Sequence, residues 1–397
     1  MKRALTIAVA SACAGQDAPL PVMPSSPMAP DAASASASPL TEEPQGCPPD
    51  PGAEPEIATV PPELAPRPPD QIVPGEAEVW LKGSTHVHAR ASGDSSEPTA
   101  GVTGWYEQNH YDFIVLTDHN RVSELDAHGD TRGQITLRDP HAGLIVFSGI
   151  ELTHNPIGCL PVGDRSRNCR IHVNVIGPTA RPGGRIEWAE RRSHLRIDMY
   201  RAAMVAQGAL GGVAQINHPQ WLWGMTPELL AELGHRGMPL VEIANAAFSK
   251  WNAGDATHPS TDALWDAALA RGAVLWGVAS DDAHDYHGHG KYPPGGGWVM
   301  VKARREPRAI LDALAAGRFY ASTGVMLGRA EVDGDELVVE VDRAAVGSYT
   351  IDFIENGRRV DSVHGRVARH GVPAAGYVRA VVTRDDGQRA WVQPARR

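Results

Sequence analysis

The chain lacks any basic tract, and its 397 residues carry a formal net charge of -10. That balance argues against a nucleic-acid polymer as the main partner, because affinity for phosphate backbones is dominated by lysine and arginine. No apolar run approaches the ~18 residues a membrane span needs. No serine sits in a G-x-S-x-G context, so the strained turn that presents a nucleophilic serine has no signature here. Cysteine is scarce, with Cys13, Cys47, Cys159 and Cys169 the full set. What remains is a globular composition with a biased N-terminal tail. The length accommodates two or three domains, or an α/β barrel of about 250 residues with an addition.

At the N-terminus, Lys2 and Arg3 precede an apolar stretch over residues 4–12, the pattern of a short secretory signal. Ala10-Ser11-Ala12 has the small-x-small form of a cleavage site, and Cys13 follows at once. The junction therefore also resembles a bacterial lipoprotein box, except that Ala10 stands where leucine is usual. The expectation is an exported protein, periplasmic or at the cell surface, with residues 1–13 as the signal. Membrane contact would come only through an acyl anchor on Cys13. Residues 14–75 are rich in Pro, Ala and Ser without helical or strand period. Such a segment cannot bury enough surface to offset its ordering entropy and reads as a disordered linker.

From residue 76 to 320 apolar runs such as "EVWLKGSTHVH", "DFIVLTDH", "LIVFSGIEL", "RIHVNVIG" and "AVLWGVASDDAH" alternate with helical patterns. That alternation predicts an α/β fold with a parallel sheet or barrel. Chemistry in such folds collects at the C-terminal ends of strands. Here the strand ends carry His86 and His88, Asp118 and His119, Glu151, His172, His218, and Asp282 with His284. One strand-end histidine is ordinarily a surface or satisfied core residue. The joint set is different, because imidazoles and carboxylates are costly to bury unless something shared satisfies them. Imidazole and carboxylate ligands without thiolate suit zinc, manganese or iron. There are too many for one four-coordinate ion, so two or three divalent ions are expected, with Glu151 able to bridge two. Clustered ions acidify a bound water and polarise a phosphoryl or carbonyl oxygen, the chemistry of hydrolysis. Residues 321–397 change to strands of period two joined by Asp-Gly and Asn-Gly turns, predicting a small antiparallel sheet or sandwich domain.

In order along the chain, "HVHARASGD", "YDFIVLTDHN", "GIE", "HVN", "NHP" and "SDDAH" resemble the successive motifs of the PHP (polymerase and histidinol phosphatase) superfamily. "WYEQNHYDFIVLTDHN" and "AGRFYASTG" resemble more narrowly its CehA/McbA-like branch, whose named relative hydrolyses an aryl carbamate. The resemblance covers residues 82–320 and implies a distorted (β/α)7-type barrel. It implies one metal on His86, His88, Glu151 and Asp282, a second on Glu151, His172 and His218, and a third on Asp94, His119 and His284. Asp94 is the ligand whose offset varies most, with Ser92 as the alternative.

Between Glu151 and His172 lies an insertion, "LTHNPIGCLPVGDRSRNCR", that would overhang the metal mouth. Its His154, Arg165, Arg167 and Arg170 either recognise an anionic substrate by charge-assisted hydrogen bonds or form a solvated face. After His284, His287, His289 and Lys291 either reach substrate or decorate a Gly-rich lid. Asp118 and Asp281 adjoin ligands; each either orients an imidazole or acts as general acid or base, a role for which His154 is the third candidate. Trp221, Trp223 and Trp251 form an aromatic wall or simply pack in the core.

The expected function is hydrolysis of a small-molecule ester by metal-activated water, a phosphoester first. A carboxylic ester or aryl carbamate is the enzymatic alternative, and a non-catalytic metal-binding surface protein the other. Oligomeric state is not legible. In an oxidising compartment Cys159 and Cys169 should pair, stabilising their loop by about 2 to 4 kcal/mol. Mass spectrometry of unreduced peptides from exported protein should find them linked; two free thiols would contradict the pairing.

Overall fold

The computed structural model describes residues 77–123, 143–160, 169–189, 193–288 and 290–397. The signal-like stretch with Cys13, the Pro-rich linker with Cys47, and Arg165, Arg167 and His289 lie outside the described residues.

The fold is mixed α/β. Strands β1 (Val79–Val87), β2 (Phe113–Leu116) and β3 (Ile145–His154) pair in parallel. So do β5 (Val213–Ile216), β6 (Leu240–Asn245) and β7 (Trp276–Ser280). These strands are apolar nearly throughout because both faces are covered; β2 is buried at every position, as parallel sheets require. Helices α1 (Thr99–Gln108), α2 (Arg196–Leu210), α3 (Pro227–His235), α4 (Ser249–Asn252), α5 (Thr261–Ala270) and α6 (Pro307–Ala315) fill the connections. Their starts follow local chemistry. Thr226 accepts from the Leu229 amide ahead of α3, with Pro227 in its first turn, and Ser260 accepts from the Ala263 amide ahead of α5, each satisfying an otherwise orphaned donor.

The expected parallel alternation is interrupted at β4 (Ile171–Ile176), which runs antiparallel to both β3 and β5. The reason is the insertion after Glu151: a chain that returns without a crossover helix lays its next strand antiparallel. Cys159 and Cys169, joined in a disulfide with Cα atoms 5.7 Å apart, close that return loop. Strand β8 (Trp298–Ala303) also pairs antiparallel with β1, and β9 (Phe319–Ser322) follows on β8. At the other end of the parallel set, an isolated parallel bridge joins Val87 to Ala283, just beyond β7.

The C-terminal strands are β10 (Leu327–Asp333), β11 (Glu336–Val341), β12 (Tyr349–Glu355), β13 (Arg358–His364), β14 (Val367–Gly371), β15 (Val378–Arg384) and β16 (Arg389–Ala395). Strands β10, β11 and β14 make a separate three-stranded antiparallel sheet. The others continue the main sheet through the β16–β9 pairing, so that it reaches 13 strands. A buried clasp reinforces the join. From β15, Arg379 donates to both carboxylate oxygens of Asp266 on α5 at 2.7 Å, and the Tyr377 hydroxyl donates to the same carboxylate at 2.7 Å. Arg379→Ala leaves Asp266 buried without its counter-charge and should cost about 3–5 kcal/mol. Equilibrium urea unfolding of the full chain measures it, and an unchanged midpoint would show that the clasp carries no net stability.

Candidate metal centre

Strand alternation puts Ser84, His86 and the following His88 on one side of β1. The side chains of His86 and His88 are completely buried. Their Nε2 atoms converge on one oxygen, Asp282 Oδ1, each at 3.1 Å. Glu151 from β3 completes the centre, with its carboxylate 3.5 Å from His86 Nε2 and 3.8 Å from His88 Nε2. It also lies 2.9 Å from His172 Nδ1, 2.6 Å from His119 Nδ1 and 3.7 Å from His218 Nε2. On the outer side, Asp94 Oδ2 is 2.9 Å from His119 Nε2 and 3.2 Å from His284 Nε2. Ser92 does not take the place of Asp94: its hydroxyl is 2.9 Å from His88 Nδ1. Potential ligand atoms thus fall into three overlapping groups. They are His86, His88 and Glu151; Glu151, His172 and His218; and His88, Asp94, His119 and His284, with the atoms of each group within 4.8 Å of one another.

Electrostatics divide the imidazoles: His88 and His172 are held neutral, as cation binding requires, whereas His86 and His119 are drawn towards the protonated form by carboxylates that a cation would have to share. Burial drives the pKa of His88 down to about 3, with the His284 imidazole adding to it. Burial likewise lowers His172 to about 4 against the attraction of Glu151. Burial also opposes charge on His86, but Asp282, Glu242 and Glu151 outweigh it and raise its pKa well above the ordinary value. For His119, Glu151 and Asp94 likewise overcome burial, to about 10. Burial disfavours ionised Glu151, yet His172, His119 and His86 hold it well below the carboxylate range. Two lone pairs decide whether a cation fits. Nε2 of His86 and of His88 have no hydrogen-bond donor or acceptor among the described residues, although buried polar atoms are nearly always paired. A divalent ion among them, Asp282 and Glu151 would satisfy both.

Glu242, not anticipated from the sequence, does the orienting. Fully buried on β6, it lies 2.7 Å from His86 Nδ1. That contact places the proton on Nδ1 and leaves Nε2 as the donor to a metal. It also accepts from the His218 amide at 2.6 Å and from Asn245 at 2.9 Å. His218 and Asp282 have positive φ, 24° and 52°, a backbone cost that such contacts offset. Also unforeseen are Asn217, which donates to Glu151 at 2.8 Å, Thr153, 2.6 Å from His119 Nδ1, and Asn155, 2.9 Å from His172 Nε2.

Among the described residues neither the Asp118 nor the Asp281 carboxylate bonds an imidazole, so the expected orienting role does not fall to them. Asp118 accepts from the Ala89 amide at 2.8 Å and from the Ser123 hydroxyl. Asp281 accepts from Ser84 at 2.9 Å, Tyr106 at 3.2 Å and the Gly295 amide at 2.6 Å. Both anchor backbone around the centre. His154 stands at the edge of a cavity with Trp188. Arg170 lies 4.3 Å over the Trp221 ring, and Trp221 packs edge-on against His172 and His218. Phe248 completes that wall. Trp223 and Trp251 instead pack on each other, and His258 stacks on Trp223. His287 pairs with buried Glu97 at 2.8 Å.

No family model matches the chain, and no curated protein matches its sequence. The Glu242–His86 contact yields a test within the chain itself. Glu242→Gln should keep the fold and weaken metal retention roughly 10–100-fold, measured by elemental analysis after dialysis against chelators of graded strength. Wild-type retention would show that Glu242 does not tune the site.

Proposed function

We propose that this chain is a metal-dependent hydrolase of the PHP type that cleaves a small-molecule ester, with phosphoesters as the first substrate class. The observation that carries the reading is the convergence of His86 and His88 Nε2, both buried and lacking a hydrogen-bond partner among the described residues, on Asp282. A distorted (β/α)7 barrel is part of the proposal, supported by the Val87–Ala283 bridge between the end of β1 and the segment just beyond β7. So are the order of the motifs, a barrel over residues 76–320 with a β domain after it, and export on a signal over residues 1–13 with a linker over 14–75.

His86, His88, Glu151 and Asp282 would hold one ion, Glu151, His172 and His218 a second, and Asp94, His119 and His284 a third, with zinc, manganese or iron suited to the donor set. Such ions supply an acidified water and polarise the oxygen of the reacting group. The chain's own residues then have definite tasks. Glu242 fixes the His86 tautomer, and Asn217 with Thr153 fixes Glu151 between its imidazoles. Arg170, stacked over Trp221, would donate to the oxyanion that develops as the ester is attacked. Asp118 and Asp281 have their oxygens engaged, which leaves His154 as the candidate for passing a proton to the leaving group.

A second reading, hydrolysis of an aryl carbamate or carboxylic ester, is favoured by Trp221 and Phe248, which offer an aryl group a wall next to His172 and His218. The manganese-loaded protein, assayed on aryl phosphate, phosphodiester, acetate and carbamate esters, decides between them. We expect aryl phosphate to be the best substrate and His88→Ala and Asp282→Ala to lose turnover by orders of magnitude while remaining folded. Oxygen from labelled water should enter the acid product within a single turnover. A trapped acyl- or phosphoryl-enzyme would contradict the mechanism, and a fully loaded protein inert to every ester would favour a non-catalytic metal-binding protein.

A further inference from the structure

Beside the metal centre lies a cavity of about 240 Å³ whose lining includes Thr153, His154, Asn155, Arg185, Glu187 and Trp188. It shares a wall with the centre: Thr153 Oγ1 is 2.6 Å from His119 Nδ1, and Asn155 Oδ1 is 2.9 Å from His172 Nε2. The opposite wall is a strap from the segment between β4 and α2, and its position is fixed by the backbone just after His119. Arg121 and Arg185 form an antiparallel bridge. The Ile186 amide donates to the Asn120 carbonyl at 2.8 Å, and the Asn120 amide donates to the Glu151 carbonyl at 2.8 Å. Trp188 Nε1 donates to Asn120 Oδ1 at 2.8 Å. The strap is thereby tied through one asparagine to the strand that carries the central carboxylate.

The chemistry of the lining is specific. The Arg185 guanidinium is exposed, borders the cavity, and has no carboxylate partner among the described residues. Trp188 and His154 meet edge to face, with ring centroids 5.9 Å apart, beside the amide of Asn155. A guanidinium with its donors uncommitted is matched by a planar oxyanion, which it can bind in bidentate fashion. Glu187 also borders the cavity but is engaged in a contact of its own.

We infer that this cavity holds the part of the substrate that is not transformed, and that Arg185 selects substrates bearing a second oxyanion there, a carboxylate or phosphate remote from the scissile group. The inference rests on the hydrolase reading for the position of the reacting group, and the volume is right for a single substituted ring or a comparably small moiety. Arg185 is a specificity-determining residue in this account and takes no part in bond cleavage.

The test uses full-length, manganese-loaded protein and two substrates that differ by one carboxylate, phenyl phosphate and 4-carboxyphenyl phosphate. The wild type should favour the carboxylated ester in kcat/KM by about tenfold or more, the usual size of a charge-assisted hydrogen bond. Arg185→Gln should abolish that preference through KM while leaving phenyl phosphate unchanged, and Glu187→Gln should keep or enlarge it. Equal loss on both substrates in Arg185→Gln, or no wild-type preference, would overturn the inference. Calorimetric binding of 4-hydroxybenzoate against phenol gives a readout that needs no turnover. Binding that prefers the carboxylate and depends on Arg185, in a protein that cleaves neither ester, would leave the subsite standing and remove the phosphoesterase reading. Turnover of both esters with no such binding preference would do the reverse.

Discussion

The structure depends on one electrostatic requirement: a set of imidazoles and carboxylates has been taken out of water and must be satisfied together. His86, His88 and Glu151 are buried almost completely, and unpaired polar atoms in such surroundings cost several times what a hydrogen bond returns. Neighbouring carboxylates and amides satisfy most of the lone pairs and protons. The Nε2 atoms of His86 and His88 are the exceptions, and they face the same carboxylate oxygen from equal distances. Cations would resolve this, because they would satisfy the imidazole lone pairs and the charges of Asp282 and Glu151 at once. Without them the centre would be a collection of buried charges held together only by mutual attraction, which rarely offsets desolvation.

That requirement explains features far from the ligands. Glu242 sits in the middle of an apolar strand because His86 needs a fixed tautomer and His218 needs its backbone held in a left-handed turn. Asp281 points away from its neighbour Asp282 and binds Ser84, Tyr106 and Gly295, so one pair of adjacent residues serves both the centre and the scaffold under it. The strap that carries Arg185 and Trp188 is tied to Asn120, one residue beyond His119. In the proposed hydrolase, recognition of the substrate's distal part and attack on its reactive part would thereby be referred to the same few backbone atoms, the kind of rigid relation that lets positioning contribute to rate.

The cluster of candidate ligands was legible because period-two alternation and strand-end placement act locally. His86 and His88 at the end of β1, or Glu151 within β3, announce themselves without knowledge of the rest of the fold. The same rule, carried one step further, would have found Thr153, two residues beyond Glu151. Glu242 was missed, although a lone carboxylate inside the apolar run "LVEIAN" was the signal that could have found it. Asn217 and the roles of Asp118 and Asp281 were not, because which of two adjacent polar residues faces the centre depends on the backbone turn after the strand. The antiparallel course of β4 was hidden in the same way: the insertion could be seen, but not its replacement of a crossover helix. Period two located the C-terminal strands, whereas the pairing of β16 with β9 is long-range and leaves no mark on local sequence.

Whether the centre holds cations is decided by its occupancy. A crystal structure of the protein grown with manganese, with anomalous scattering recorded, should show two or three strong peaks. One should bind His86, His88 and Asp282, and another His172, His218 and Glu151, at roughly 2.0 to 2.3 Å from nitrogen and oxygen ligands. A well-ordered structure with no anomalous peak at these residues, and with His86 and His88 Nε2 satisfied by protein groups instead, would contradict cation binding there.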